Sequence, residues 1–150
     1  MALRPDRQEH LTDLSFFMNE VAERGLICTH LTGGSGAAMD DSSATVQVAT
    51  ATNEDPAGLL LNDVVNIDLT RQHLNYNQDE VQIGSKVLLL RRGVVVTDQI
   101  SGTPVVGEQA HFVAGGLLTT SSELSASVAV GRWLSTVDSD GYAKIDVNIV

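Results

Sequence analysis

Apolar residues in this chain come in short runs, and each run is closed by a polar or turn-forming residue. The densest runs, Leu59–Leu61, Val64–Val65, Val87–Leu90 and Val94–Val96, lie within GLLLNDVVNIDLTRQHLNYNQDEVQIGSKVLLLRRGVVVT, residues 58–97. Runs of this length, rich in Val and Leu and bounded by Asn, Asp, Gly or Arg, predict buried strands rather than helices. Arg91-Arg92-Gly93, between two such runs, predicts a tight reversal in which Gly93 supplies a positive φ. The cleanest alternation is at the C-terminus, where Ala143, Ile145, Val147 and Ile149 interleave with Lys144, Asp146 and Asn148. That pattern predicts a strand with one face in the core and one in water.

Further strands are predicted at Leu26–Leu31, Ala44–Thr52, Gln109–Ala114, Leu117–Thr120 and Ser127–Val137. Gly131 marks a bulge or a close backbone approach in the last of these. Turn signals fall at Gly33–Gly36, Asn53–Pro56, Ser101–Pro104, Gly115-Gly116, the loop-like Ser121–Ser125 and Asp138–Gly141. Turns at short intervals without intervening helices predict a mainly β fold, an antiparallel β-sandwich or barrel.

The N-terminal third is ambiguous. Residues 1–10 are polar, with an early Pro5, and read as a mobile end. In LTDLSFFMNEVAER, residues 11–24, Leu11, Leu14, Met18 and Val21 recur at helical spacing, with Gly25 in the place of a helix C-cap. The other reading is an extended arm that packs Phe16, Phe17 and Met18 against a partner, because adjacent exposed aromatics usually mark a contact surface. The chain thus divides into an N-terminal arm, residues 1–31, with one short helix as an alternative, and a single β domain, residues 32–150.

Composition narrows the classes of function. With 150 residues the chain is long enough for one core without staples. Apolar residues make up 43% but aromatics only 4%, so the core must be aliphatic. The net charge of −10, from 19 acids and 9 bases, lacks the clustered Lys and Arg that nucleic acid or an anionic membrane requires. A lone cysteine, Cys28, excludes an intrachain disulfide and suits a reducing compartment. No apolar run approaches a membrane span, and the N-terminus has no signal-peptide core.

Candidate chemistry is sparse. Gly33-Gly34-Ser35-Gly36-Ala37 brushes against a nucleophile elbow but lacks the following helix. Asp138-Ser139-Asp140-Gly141 starts like a calcium loop, yet position 149 is Ile where the loop needs Glu. His10, His30, His73 and His111 show no metal-ligand spacing. Cys28, beside Ile27, reads as a buried thiol. Arg71-Gln72-His73 reads as a polar loop or a subunit contact. Trp133 reads as packing rather than a ligand platform. No nucleophile sits with a base, no cofactor motif is present, and no catalytic, cofactor-binding or metal residue is assigned. A protein that acts through its surfaces is the expectation.

Blocks in a fixed order carry a resemblance. DLSFFMNEVAERG, the GSGAAMD loop, the 58–97 stretch, GEQAHFVAGGLLTTS and AVGRWLSTVDSDGYAKIDVNI together resemble the capsid decoration, or cement, proteins of tailed bacteriophages. The resemblance implies a β-rich structural protein, without cofactor or catalysis, on the outside of an assembled head. Its implied partners are the major capsid protein, whose subunits it clamps, and itself, as a homotrimer; nucleic acid and membrane are not among them. It implies synthesis in the host cytoplasm and an arm at Met1–Leu31, with Phe16, Phe17 and Met18 as anchors. The competing expectation is a β-sandwich module for glycans or host surfaces, whose aromatic platform would come from Trp133, Tyr76 and Tyr142.

Overall fold

The computed structural model describes residues 3–4, 7–31, 45–63, 80–120 and 128–149. Val64–Val65, the Gly33–Gly36 loop, Arg71-Gln72-His73, Tyr76 and Ser121–Ser125 fall outside these. The strands of the first half are β1 (Gln8–Asp13), β2 (Phe17–Met18), β3 (Ala22–Glu23), β4 (Ile27–His30), β5 (Thr45–Val48), β6 (Pro56–Asp63) and β7 (Glu80–Val81). Those of the second are β8 (Val87–Thr97), β9 (Ile100–Ser101), β10 (Gln109–Phe112), β11 (Leu118–Thr119), β12 (Ala129–Trp133) and β13 (Ala143–Asn148). The fold is mainly β, and among the described residues there is no helix.

Most strands join one mixed sheet in the order β2-β5-β4-β6-β8-β13-β12-β10-β11-β9, with β1 also on β8; β3 and β7 form a separate ribbon. The terminal strands β2 and β9 do not pair, so the sheet is open rather than a closed barrel.

The organising strand is β8, and it runs straight through Arg91-Arg92-Gly93 as one element of 11 residues. The predicted reversal there is therefore corrected. Its physical reason is visible in the pairing. β6 lies on residues 87–90 and β13 on residues 92–97, while β1 spans residues 89–94. Because β1 overlaps both of the others, it must occupy the opposite edge of β8. β6 and β13 therefore share one edge in succession. The two apolar runs are not two strands of a hairpin but two halves of one strand, each serving a different half of the sheet. Gly93 is needed for space: a Cβ there would lie 2.2 Å from the Gln8 carbonyl oxygen. Opposite it, β1 is irregular between Glu9 and Leu11, which leaves His10 as an extra, exposed residue.

This arrangement explains the sequence patterns. β4, β6 and the first half of β8 are covered on both faces. Ile27, Leu59, Leu61 and Leu90 enter one core cluster, and Cys28, Leu60, Val87 and Leu89 the other. Strands buried on both sides read as unbroken apolar runs, and Leu59, Leu60 and Leu61 are all fully buried. Each such side chain contributes about 1.5–3 kcal/mol. β13 has one covered face: Ala143, Ile145 and Val147 are buried, whereas Asp146 and Asn148 are exposed. The larger cluster takes residues from β4 and β6 as well as from β10 to β13, so both halves of the sheet close over it in a sandwich-like manner.

The helical reading of residues 11–24 is also overturned. Leu11 is 46% and Val21 52% exposed, so the spaced apolar residues bury no common face. The segment instead runs extended along the free edge of β8, from the Leu3–Thr97 bridge through β1 to the Phe17–Lys86 bridge. That edge satisfies its backbone groups more completely than an isolated short helix could. Gly25, with φ +93°, is a turn whose N–H donates to the Leu60 carbonyl at 2.8 Å. Nor is the start of the chain loose throughout. Leu3 is buried in the larger cluster, and the Arg4 N–H donates to the Val96 carbonyl at 3.1 Å.

Candidate interaction surfaces

The histidines are dispersed: His10 is exposed at the β1 irregularity, His30 packs edge-on against Phe16 at 5.2 Å, and His111 is buried in β10. Among the described residues no group of His, Cys, Asp and Glu could hold a metal ion. Cys28 is completely buried, and its thiol is pushed up to about 12, first by burial and then by the charge of Glu20. A thiol held protonated is a poor nucleophile. Cys28 should therefore resist a disulfide-exchange reagent at pH 8 in the native protein and react fully in denaturant. Rapid native labelling would contradict this burial.

The Asp138–Gly141 turn is built as its sequence suggests. The Asp140 and Tyr142 N–H groups donate to Asp138 Oδ1 at 2.9 and 3.0 Å, and Gly141 takes φ +86°. The Tyr142 amide above all, then the Asp140 amide and the Arg4 charge, hold the Asp138 carboxyl below its usual range. Arg4 closes over this turn, 3.0 Å from Asp140 Oδ2 and 4.2 Å above the Tyr142 ring. The residues that suggested a calcium ligand are satisfied by backbone amides and Arg4. The outer face of β8 and β13 carries an open trough lined by His10, Arg92, Asp146 and Asn148, an ordinary hydrated sheet face.

The proposed anchors separate on inspection. Met18 is 1% exposed and packs in the smaller core cluster, so it presents no surface to a partner. Phe16 packs against the same cluster and is half-buried. Phe17 is half-buried under the Lys86 ammonium, 5.2 Å from its ring centroid. These residues belong to a ribbon in which residues 17–23 run antiparallel to residues 80–86. The Met18 N–H donates to the Ser85 carbonyl at 2.9 Å and the Gly84 N–H to the Met18 carbonyl at 2.8 Å. From this ribbon Val21 and Ile83 project, 52% and 66% exposed.

Further exposed apolar residues lie on the β9–β10 loop and on the β12–β13 loop. Val105, Val106, Leu134 and Val137 are 49%, 61%, 41% and 36% exposed. Sequence reasoning singled out neither these nor Ile83, and it read Val21 only as part of a possible helical face. One signal was present: Val105-Val106 is an apolar pair inside a turn, between Pro104 and Gly107, where polar residues are the rule. Trp133, by contrast, is completely buried, which removes it as a glycan platform. Tyr142 is half-buried under Arg4.

Comparison with known proteins adds one finding. The family model described as "Structural cement protein (E217 gp24/Pam3 gp6)" matches residues 18–148. No curated protein matches the chain.

Proposed function

Because the chain belongs to the phage structural cement protein family, and is thus a structural protein of the virion capsid, we propose that it binds the outer surface of the head and clamps neighbouring major capsid protein subunits. The observation that carries this reading is the family match combined with the ribbon of residues 17–23 and 80–86, which holds Val21 and Ile83 out from a bonded framework. Apolar groups kept exposed at a cost in solubility mark a contact surface. Phe16 and Phe17 serve it from different depths. Phe17 adds its ring and the adjacent Lys86 charge, while Phe16 fixes the ribbon on the core.

The protein acts as a homotrimer, made in the host cytoplasm. Three copies of a modest contact, engaged together, hold a shell far more firmly than a single copy would. The net charge of −10 suits an exterior place, because it offers nothing to the packaged nucleic acid.

The test is binding to expanded, undecorated heads. Wild type should co-sediment with them and raise their resistance to heat. Ile83→Asp should weaken that binding about tenfold or more while leaving the fold intact, as expected for a central apolar contact. Failure of the wild type to bind sinks the reading, and unchanged binding by Ile83→Asp removes the ribbon from it.

A further inference from the structure

We propose that the polar face of the half-sheet formed by β1, β8, β13, β12 and β10 is the surface on which one copy of the chain receives the acidic flank of the next copy, closing a ring. The inference rests on the homotrimer reading above and deepens it: it names the surface that joins the copies.

Pairing register assigns the side chains to this face. Residues directly opposite each other in an antiparallel pair point to the same side. Gln109 lies opposite Arg132, Arg132 opposite Asp146, Asp146 opposite Val94, and Val94 opposite Gln8, so they form one row across the five strands. Arg92 with Asn148, and Val96 with Lys144, make the rows on either side. Their chain neighbours Ala110, Trp133, Ile145 and Val95 point into the larger core cluster, so alternation turns these rows outward. Two open troughs run over the face and share Asp146 and Asn148; His10 and Arg92 line one, Gln109 and Arg132 the other.

What sets the face apart is the sign of its charge. It carries Arg92, Arg132 and Lys144 against a single acid, Asp146. Arg4 stands at its rim, bonded through its amide to Val96 and held by Asp138 and Asp140. Among the described residues the ion pairs are those of Arg4 and Arg7, and Arg92, Arg132 and Lys144 take part in none. The rest of the chain is left with 18 of the 19 acids and 6 of the 9 bases, three acids for each base. At the centre of the face Val94 and Val96 are half-buried, and Leu11, paired with Arg92, is 46% exposed. Apolar groups set among arginines have the composition of a contact surface.

A second copy of the chain is the occupant whose chemistry fits. Away from this face it presents an excess of carboxylates, and such complementarity steers the encounter and fixes its orientation. Two copies meeting by this same face would instead oppose like net charge. The contact must therefore join two different patches, and contacts of that kind close into rings rather than two-fold pairs. Nucleic acid does not fit, because three cations interrupted by a carboxylate do not make the stripe of cations that a phosphate backbone needs.

The experiment follows assembly of the full chain by light scattering across a dilution series. Arg92→Glu and Arg132→Glu are compared with Arg7→Glu, which changes the net charge equally but removes a base that pairs with Glu9 on the other side of β1. Relative to Arg7→Glu, both face variants are expected to raise the concentration of half-assembly about tenfold. The milder Arg132→Gln should move it the same way by less. Asp146→Asn takes the one acid off the face and should lower that concentration more than Asp55→Asn, a change at an exposed acid elsewhere; a gain of assembly cannot come from misfolding. If Arg92→Glu and Arg132→Glu assemble like Arg7→Glu, this surface is refuted while the homotrimer reading stands. Co-sedimentation with undecorated heads is measured alongside: loss of head binding at unchanged mass gives the face to the capsid and overturns the proposal. If wild type is a single copy at every concentration, the homotrimer reading falls and this one with it.

Discussion

Trp133→Ala is expected to lower the stability of the protein by about 3–5 kcal/mol, a large fraction of the about 5–15 kcal/mol available to a domain of this size. Trp133 is the largest fully buried side chain, and it stands in the cluster shared by both halves of the sheet. Its neighbours belong to strands hydrogen-bonded on both edges, which cannot collapse into the space left behind. Trp133→Phe should cost much less. Among the described residues the buried indole Nε1–H has no hydrogen-bond partner, so its removal breaks no bond to them. Urea unfolding curves for the two variants measure the contrast directly. Similar midpoints for both would mean that the indole fills no essential volume. Any loss of ligand or head binding in Trp133→Ala must therefore be corrected for loss of folded protein.

Gly131→Ala is the second large effect, expected at about 3 kcal/mol. A Cβ at Gly131 would sit 2.1 Å from the Asp146 carbonyl oxygen and 3.1 Å from Val147 Cα. Both are backbone atoms of β13, so no side-chain rotation can make room. Relief would require β13 to move away from β12, withdrawing Ile145 and Val147 from the core. Gly115→Ala is the informative comparison. Gly115 has φ +91° and, among the described residues, nothing within 4 Å of the added carbon, so the left-handed strain of about 1–2 kcal/mol dominates. Thermal denaturation of the two variants should rank them in that order, and a harmless Gly131→Ala would mean that β12 and β13 are further apart than described.

Much of the fold was legible. The alternation in residues 143–149 became β13 with the expected face in the core, and the turn at Asp138–Gly141 formed from its own side chain and amides. Gly131 marked a close approach, and Trp133 packing. The family resemblance read from ordered blocks is the one that the match over residues 18–148 shows. What misled was local chemistry with two solutions. Arg91-Arg92-Gly93 has the composition of a turn, but glycine also serves where another backbone comes within reach, and nothing nearby in sequence announces that the neighbour is Gln8. Leu11, Leu14, Met18 and Val21 have helical spacing, but spacing alone does not say whether a free sheet edge is waiting for the segment.

The surfaces were less legible than the core. An anchor was sought in the conspicuous Phe16-Phe17-Met18 triplet, yet Met18 went inward, while Val21 and Ile83 nearby stayed out. A short apolar side chain carries no mark of which side of the boundary it will occupy. Burial is decided by which strand covers it, and that is a long-range event.

By itself the sequence determined that the chain is mainly β, with an aliphatic core, a half-wet final strand and no charge pattern for nucleic acid, because these follow from periodicity and composition that act residue by residue. Only the tertiary structure decided that β8 is one strand shared by two halves of a sheet, that the N-terminal segment lies along its other edge, and that Val21, Ile83 and Val106 remain exposed. Those outcomes depend on pairings between residues as distant as Gln8 and Val94. Backbone hydrogen bonds are the same for every residue type, so the pairing partner is selected by the packing of the whole core and not by any local word in the sequence.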